Sequence, residues 1–301
     1  MLLSDNKELF SNLINEIYIK KKIDPSYIEK DFFAISVLKE LVSKNTHFVF
    51  KGGTSLSVCQ RVIKRFSEDI DISYDDEKIT CGERKKIKQD LITSIQNVGL
   101  SLTNMDNIRS RRVFNRYICS YSSTVGFSDG QILVEWASQS PSFPNEFKEA
   151  QTIIGRYLSE IKRDDLIAKY DLSAFLVKTQ KLERIFVDKV FAICDYHISK
   201  KLTRQSRHIY DLFKILPLIK LDQYLLELFK EIREYRYPQE TCYSAKDGVY
   251  LFNILNQLIE NETYKDDYKT LTTPLLYEQV SYNECIESLK LIQVFLEKNN
   301  I

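Results

Sequence analysis

Residues 51–73 read KGGTSLSVCQRVIKRFSEDIDIS, and two short patterns in this stretch decide the fold assignment. The first is Gly52–Gly53, which follows an apolar run. It indicates a tight turn near a ligand, because glycine lets the main chain turn sharply and approach a bound group. Thr54 and Ser55 can then begin a helix whose free N–H groups favour phosphate oxygens. Alone this turn is a weak signal, since most such turns only join a strand to a helix and the P-loop order Gly-Lys-Ser/Thr is missing.

The second pattern is Asp69-Ile70-Asp71, which alternates acidic and apolar residues as a strand does. Residues i and i+2 of a strand project from the same face, so the two carboxylates lie side by side while Ile70 faces the core. Like charges so placed repel, and a pair of Mg²⁺ ions relieves the repulsion because Mg²⁺ prefers carboxylate and phosphate oxygens. The alternative is two solvated acids at a strand edge, and the preceding glycines favour the metal site.

A third acid, Glu135, lies in the otherwise apolar run from Ile132 to Ala137. An unpaired carboxylate in such a strand is costly, so Glu135 should bind a metal ion or pair with a cation. The cations nearby are Arg109, Arg111, Arg112 and Arg116. Both alternatives stay open for Glu135, and the arginines themselves could hold a polyanion or form paired charges on a surface strand.

These motifs resemble those of a known superfamily. The Gly-Gly-Thr/Ser turn followed by Asp-x-Asp is the pattern of the polymerase-β-type nucleotidyltransferases, and residues 51–56 with 65–71 look like the AbiEii/AbiGii toxin family in particular. Further segments that resemble this family are Ile28–Asp31, Ile132–Glu135, Leu182–Lys189 and Ser206–Asp211. Two departures are the long interval between Thr54 and Asp69, which is ordinary for the toxin group, and Ile185 where threonine is common.

The predicted fold class is α/β. Helical stretches alternate with strand-like runs up to about residue 140, and nearly everything beyond about 175 has helical period. Together with the resemblance, this predicts a polymerase-β-type nucleotidyltransferase domain with a small mixed sheet over residues 1–175 and a helical-bundle domain over 176–301. A helix should start at Asp24-Pro25, and the polar stretch 159–171 is the expected joint. Strands are predicted at 47–50, 69–73, 112–121 and 131–137.

The resemblance implies a metal-dependent nucleotidyltransferase, the toxin of a bacterial toxin–antitoxin or phage-defence system. It would transfer a nucleoside monophosphate from an NTP to an acceptor hydroxyl, with an RNA such as tRNA as expected acceptor and an antitoxin as expected partner. Two Mg²⁺ or Mn²⁺ ions would be bound by Asp69, Asp71 and Glu135. The NTP phosphates would be bound by Gly52, Gly53, Thr54, Ser55, Lys189 and Arg207. Asp211 would orient Lys189 or the acceptor, so that the helical domain contributes to the catalytic site.

The second half also carries its own signals. Lys189 shares a helical face with Ile185 and Ile193, where lysine is rare unless paired, and a phosphate would be such a partner. Arg204, Arg207 and Asp211 fall together opposite an apolar stripe, which by itself predicts a solvated face. The resemblance favours a site role for Asp211 and leaves Arg204 and Arg207 as candidates for contact with phosphate or RNA. Earlier in the chain, Asp31 shares an apolar face, which predicts a structural acid paired with a basic residue such as Lys51 or Arg65. A role near the nucleotide is the alternative.

Composition excludes several classes. The chain has 301 residues, 43 Lys+Arg against 42 Asp+Glu and 44% hydrophobic residues, which indicates a folded protein and argues against a polybasic nucleic-acid binder. Residues 176–214 are nevertheless basic and the last eighty acidic. Six scattered cysteines and three separate histidines argue against a disulfide scaffold and a zinc hydrolase. Neither a membrane span nor a secretory signal is evident, so we expect a cytoplasmic protein.

Two other functions fit the same residues. One is a phosphotransferase or protein-nucleotidylating enzyme with the same site, because the metal chemistry is common to all of them. The other is a non-catalytic member that binds only a nucleotide or a partner, although a degenerate copy has no reason to keep three carboxylates on core strands.

Overall fold

The computed structural model describes residues 2–45, 47–67, 69–74, 79–110, 112–126, 128–138 and 141–301. Glu68 and Arg111, which belong to the motifs above, lie outside these residues. The described chain divides into two compact units. Unit 1 comprises the residues up to Arg61 and from Phe66 to Gln180, and unit 2 comprises Val62–Arg65 and Lys181–Ile301.

The described part of unit 1 contains helices and one sheet. Helix α2 begins as predicted, because Asp24 accepts a hydrogen bond from the Ser26 N–H and Pro25 is the first helical residue. The helices are α1 (Lys7–Lys21), α2 (Pro25–Lys44), α3 (Gly52–Val58), α4 (Cys81–Asn97), α5 (Ile153–Glu160) and α6 (Asp164–Lys169). Short 3-10 turns lie at Leu3–Asp5 and Met105–Asn107.

The described residues form a seven-stranded mixed sheet with the order β3-β4-β5-β2-β1-β7-β6. The strands are β1 (Phe48–Lys51), β2 (Asp69–Tyr74), β3 (Ser101–Leu102), β4 (Phe114–Tyr121), β5 (Gly130–Ala137), β6 (Asn145–Ala150) and β7 (Phe175–Gln180). β2 pairs parallel with β5, and β1 pairs parallel with β7, while the other neighbours are antiparallel. The four predicted strands are present as β1, β2, β4 and β5, with small shifts at their ends.

The pleat of the central strands sorts their residues onto two faces. Ile70 and Ile72 of β2 and Val134 and Trp136 of β5 are buried, and helix α2 packs against both strands. Because neighbouring residues in a strand point to opposite faces, the acidic residues of β2 and β5 lie on the other face. The predicted division of β2 into an apolar and an acidic side is therefore confirmed.

Unit 2 has helices as its regular elements among the described residues. They are α7 (Leu182–Ile198), α8 (Arg207–Ile215), α9 (Gln223–Arg236), α10 (Leu251–Glu260), the short α11 (Lys265–Asp267) and α12 (Tyr282–Lys298). Single turns of other helix types lie at Leu216–Leu218, Tyr243–Ala245, Tyr268–Thr272 and Thr273–Leu275. Helix α12 packs against α8 and α10, and α7 packs against α8, α9 and α10.

The segment Val62–Arg65 belongs to unit 2 although it lies between α3 and β2 in the chain. Its anchor is Lys64, whose carbonyl accepts from the Tyr277 N–H at 2.8 Å and whose N–H donates to the Tyr210 hydroxyl at 2.9 Å.

Among the described residues, no helix has both the length and the apolar character that a membrane span requires.

Three details differ from the sequence predictions. β6 and β7 form where no strand was predicted, and β7 extends the sheet to Gln180, beyond the expected boundary at 175. The expected joint at 159–171 instead holds the end of α5 and helix α6, both within unit 1. β6 was missed because its sequence, NEFKEA, carries three charged residues, which an edge strand tolerates.

Candidate active site

Four charged residues stand in one row across the centre of the sheet. Lys51 is the cross-strand partner of Asp71, Asp71 is the partner of Glu135, and Glu135 is the partner of Arg116. Cross-strand partners project from the same face, so these residues form what we call the charged row. Asp69 lies on this face two residues before Asp71. The structure thus brings the three predicted carboxylates to one face of unit 1.

Glu135 forms an ion pair with Arg116 inside the charged row. The Arg116 guanidinium approaches Glu135 Oε1 at 2.6 Å, with Nε as a hydrogen-bond donor. The side chain of Arg116 is 53% exposed and that of Glu135 is 20% exposed. Of the two alternatives for Glu135, the structure therefore contains the arginine pair, and its role as a metal ligand stays a prediction.

Gly52 is a glycine because the carboxylate of Asp71 lies directly against it. Its φ of +75° is a left-handed conformation that other residues rarely adopt, and a Cβ at this position would lie 2.0 Å from Asp71 Oδ2. A larger residue would therefore have to displace Asp71. The tight turn that the sequence predicted thus fits closely around one of the two predicted metal-binding carboxylates.

Thr54 and Ser55, predicted to bind phosphate, are both buried. The Thr54 hydroxyl donates to the Asp69 carbonyl at 2.5 Å, and the Ser55 hydroxyl donates to the Gly52 carbonyl at 2.9 Å. The first bond ties the start of α3 to β2. Because both hydroxyls are engaged, phosphate binding here would fall to the main-chain N–H groups of the turn, which helix geometry leaves unsatisfied.

The donor set on this face suits a hard divalent cation. In the described residues no group of three His, Cys, Asp or Glu side chains is arranged to hold a metal ion. Mg²⁺, however, is usually bound by one or two carboxylates together with substrate phosphates and water. Asp69 and Asp71, two carboxylates on one face of β2, match that requirement.

In unit 2, the buried carboxylate of Asp211 holds two cations. Arg65 donates from Nε to Oδ1 and from Nη2 to Oδ2, both at 2.7 Å, and Lys189 Nζ lies 2.6 Å from Oδ2. Burial opposes ionisation of Asp211, but Arg65 and Lys189 outweigh it and hold the pKa of this carboxyl well below its usual range. A solvated face, the alternative for Asp211, is wrong because this residue has no exposed surface.

Lys189 is buried beside one carboxylate and under the influence of two arginines. Burial lowers the pKa of Lys189, Asp211 opposes this, and Arg65 and Arg207 lower it further. The prediction that Lys189 must be paired is confirmed, with Asp211 as the partner, while phosphate as a second partner stays a prediction. Arg207 forms no ion pair with any carboxylate of the described chain. Arg204, the other candidate, uses its main-chain N–H to bind Asp267 at 2.6 Å.

Asp31 has a different partner from those predicted. Its Oδ2 accepts from the N–H of Ile153, the first residue of α5, at 2.6 Å, while Arg65 binds Asp211 instead. Burial raises the pKa of Asp31 to about 6, and Arg156 opposes the shift. The buried position of Asp31 agrees with the prediction of a structural acid. The expected pairing with Lys51 or Arg65 is wrong, because a helix N-terminus supplies the hydrogen-bond donor.

Sequence reasoning missed the pairing of Arg65 with Asp211. Arg65 stands inside the motif of residues 65–71, but its partner is 146 positions away and no spacing rule links the two. The predicted site residues therefore form two groups, Asp69, Asp71 and Glu135 in unit 1, and Lys189 and Asp211 in unit 2. That the two groups complete one site stays a prediction.

Comparison with known proteins gives a family match. The family model described as "Nucleotidyl transferase AbiEii toxin, Type IV TA system" matches residues 36–288. A search of the curated proteins found no relative. Among solved structures, a candidate nucleotidyltransferase from H. pylori aligns with a TM-score of 0.51 and 17% identity over 92% of this chain and 97% of that one. MenT4, a nucleotidyltransferase toxin from Mycobacterium tuberculosis H37Rv, aligns with a TM-score of 0.50 and 15% identity over 95% and 89%. At these identities the structures support the fold.

Proposed function

Because the chain belongs to the AbiEii nucleotidyl transferase toxin family, we propose that this nucleotidyltransferase is the metal-dependent toxin of a toxin–antitoxin system and transfers NMP from an NTP to an RNA hydroxyl. A tRNA is the expected acceptor, and the fold proposed is the polymerase-β type with a helical bundle as its second unit. The observation that carries the proposal is the placement of Asp69, Asp71 and Glu135 on one face of two adjacent strands.

The carboxylates of unit 1 would hold the ions and receive the proton. Asp69 and Asp71 would bind Mg²⁺ or Mn²⁺, with Glu135 as a further ligand. When bound, such ions offset the charge that develops on the attacking and leaving oxygens. Glu135 would also accept the proton of the acceptor hydroxyl, whose oxygen forms a bond to the α-phosphorus as the bond to the departing pyrophosphate breaks. Because Gly52 has no Cβ, the Asp71 carboxylate lies against its main chain, and this contact fixes the position of the carboxylate.

The remaining residues would bind the triphosphate. The main-chain N–H groups of Gly53, Thr54 and Ser55 would bind its terminal phosphates. Lys189 and Arg207 would offset the negative charge of the triphosphate. Asp211 would orient Lys189, to which it is bonded at 2.6 Å.

The test is transfer of label from NTPs. The purified protein is incubated with Mg²⁺, total tRNA and each NTP, labelled in parallel reactions on the α-phosphate or the γ-phosphate. The proposal expects α-label, and no γ-label, in the RNA. Transfer of γ-label would indicate a phosphotransferase, α-label in protein alone would indicate a protein-nucleotidylating enzyme, and no transfer at all would leave only a binding module.

A matched pair of variants ties the activity to the site. Asp71→Asn removes a carboxylate from the charged row, while Asp165→Asn removes an exposed carboxylate of unit 1 that pairs with Arg163. We expect the first variant to abolish transfer and the second to keep it. Equal activity in both variants would contradict the assignment of the site.

A further inference from the structure

An apolar groove lies on the surface of unit 2 beside its last long helix. Helix α12 forms one wall of the groove, and the segment between α8 and α9 forms the other. The groove has a volume of about 360 Å³ and is open to solvent. It is lined by Leu216, Leu221, Leu291, Val294, Phe295 and Lys298. Because most of this lining is apolar, this part of the surface favours an apolar partner over water.

Helix α12 carries apolar residues on its exposed face as well as on its buried face. The buried face, with Leu289, Ile292 and Leu296, belongs to the interior of unit 2. On the other face, Leu291 is 60% exposed and Val294 is 42% exposed. Successive helical residues are about 100° apart, so these two lie about 60° apart around the axis and form one patch. This patch adds nothing to the core of unit 2 and is left for a contact outside it.

An acid and a base flank this apolar patch at equal intervals. Glu287 precedes Leu291 by four residues, and Lys298 follows Val294 by four residues. Both charged residues are exposed, and around the helix axis both lie within about 40° of the two apolar residues. Glu287 also pairs with Lys290 at 2.7 Å, but this pair is exposed and contributes little. The order acid, apolar, apolar, base is therefore its own complement when the helix is reversed.

We propose that the chain forms a symmetric dimer through this face of α12 and the groove beside it. We call the face, which comprises Glu287, Leu291, Val294 and Lys298, the α12 surface. The two helices would lie antiparallel about a two-fold axis, with Leu291 of each copy against Val294 of the other. Glu287 of each copy would then pair with Lys298 of the other. Parallel helices would instead bring each charge against its own kind, which costs binding free energy.

The symmetry of the charges is what selects a second copy as the occupant. In an interface between identical surfaces every contact occurs twice, so one acid and one base placed at equal intervals form two ion pairs. A different protein would impose no such symmetry on a single helix. The inference uses residues of α12 and its groove alone, so it stands or falls separately from the proposed function.

Association is measured with the purified chain alone, without NTP, metal or RNA. Sedimentation velocity is recorded from about 1 µM to about 200 µM, the range in which a small interface associates. The proposal expects the mass to rise with concentration from that of one chain to twice that value. The mass of a single chain at every concentration would overturn the proposal, because the α12 surface would then belong to a different partner.

A matched pair of variants locates the contact. Leu291→Glu places a carboxylate at the apolar centre of the interface twice per dimer and should raise the Kd of the dimer by about 100-fold or more. The control Ile19→Glu replaces a 65% exposed residue of α1 and should leave this Kd unchanged. Thermal melting at about 1 µM checks that both variants keep the fold. A dimer that persists unchanged in Leu291→Glu would lie elsewhere on the chain and would overturn the proposal.

Charge reversal tests the antiparallel arrangement. Glu287→Lys alone, or Lys298→Glu alone, opposes like charges at both ends of the interface and should raise the Kd of the dimer about 5- to 30-fold. The double variant E287K/K298E exchanges the signs and restores both pairs, so its Kd should return to within about 3-fold of wild type. Both charges are exposed, so their reversal should alter association more than the stability of one chain. A double variant that associates no better than the single variants would contradict the antiparallel pairing and overturn the proposal.

Discussion

Replacing Asp211 by asparagine removes the carboxylate that holds both Arg65 and Lys189. The three side chains are almost completely buried, with exposed fractions of 0%, 2% and 7% for Asp211, Arg65 and Lys189. Asparagine has nearly the same shape and can still accept one hydrogen bond. The variant therefore tests the charge of Asp211 and not its volume, since two cations remain in a site from which water is excluded.

The size of the effect follows from this burial. Removing one partner of a buried ion pair costs about 3–5 kcal/mol, because Lys189 would keep its charge in a buried site without its carboxylate. For a unit of this size that corresponds to a fall of about 10–20 °C in its melting temperature. The control is Glu287→Gln, whose ion pair with Lys290 is 51% and 70% exposed and should contribute at most about 1 kcal/mol.

The pH dependence of Asp211→Asn has a predicted sign. Lys189 already has a pKa below its ordinary value because of burial, and the loss of Asp211 lowers this pKa further. The folded variant then binds fewer protons than the unfolded chain at alkaline pH, so its stability rises with pH toward the unfolded pKa. The deficit relative to wild type should therefore shrink between neutral and alkaline pH in urea unfolding. A deficit no larger than that of Glu287→Gln, or one that grows with pH, would refute the reasoning.

Three further variants, the first with a matched control, test other contacts. Gly52→Ala should lower the free energy of unfolding by about 1–2 kcal/mol and sharply reduce label transfer, because the added Cβ would meet Asp71. Gly99→Ala is the control, since Gly99 also has a positive φ but lies in open space. It should lose stability in chemical unfolding and keep label transfer. Lys189→Met should abolish label transfer. Its free energy of unfolding should stay within about 1–2 kcal/mol of the wild-type value, because Arg65 still pairs with Asp211. Asp31→Asn should flatten the dependence of the free energy of unfolding on pH between about pH 4 and 6. In wild type the raised pKa of Asp31 makes the folded chain bind more protons than the unfolded chain in this window, so stability falls as pH rises. Asparagine does not titrate, so the variant should lack this fall.

Much of the site on β2 and β5 is predictable because the information is local. Alternation within residues 69–73 places both carboxylates on one face, and a lone acid in the apolar run of β5 has to face a partner. The double glycine likewise predicts a tight turn, and the structure adds that Gly52 is required by the carboxylate of Asp71. In unit 2, the apolar surroundings of Lys189 predict a partner without identifying it.

The parts that could not be predicted depend on contacts between distant residues. Asp31 binds a helix N-terminus 122 positions away and Asp211 binds an arginine 146 positions away, and no local pattern encodes either choice. β7 was missed for a related reason, since FLVKTQ lacks clear alternation and becomes a strand by pairing with β1 and β6. Local sequence thus fixes which residues need partners, whereas tertiary packing selects the partners.

The most direct test of the account is the rate at which α-label passes from NTP to RNA in wild type, Asp69→Asn, Asp71→Asn and Asp165→Asn, measured with and without Mg²⁺. The account predicts transfer by wild type and Asp165→Asn that requires Mg²⁺, and no transfer by the two variants of β2. Transfer that persists in Asp69→Asn or Asp71→Asn, or that continues when EDTA removes the metal, would contradict it.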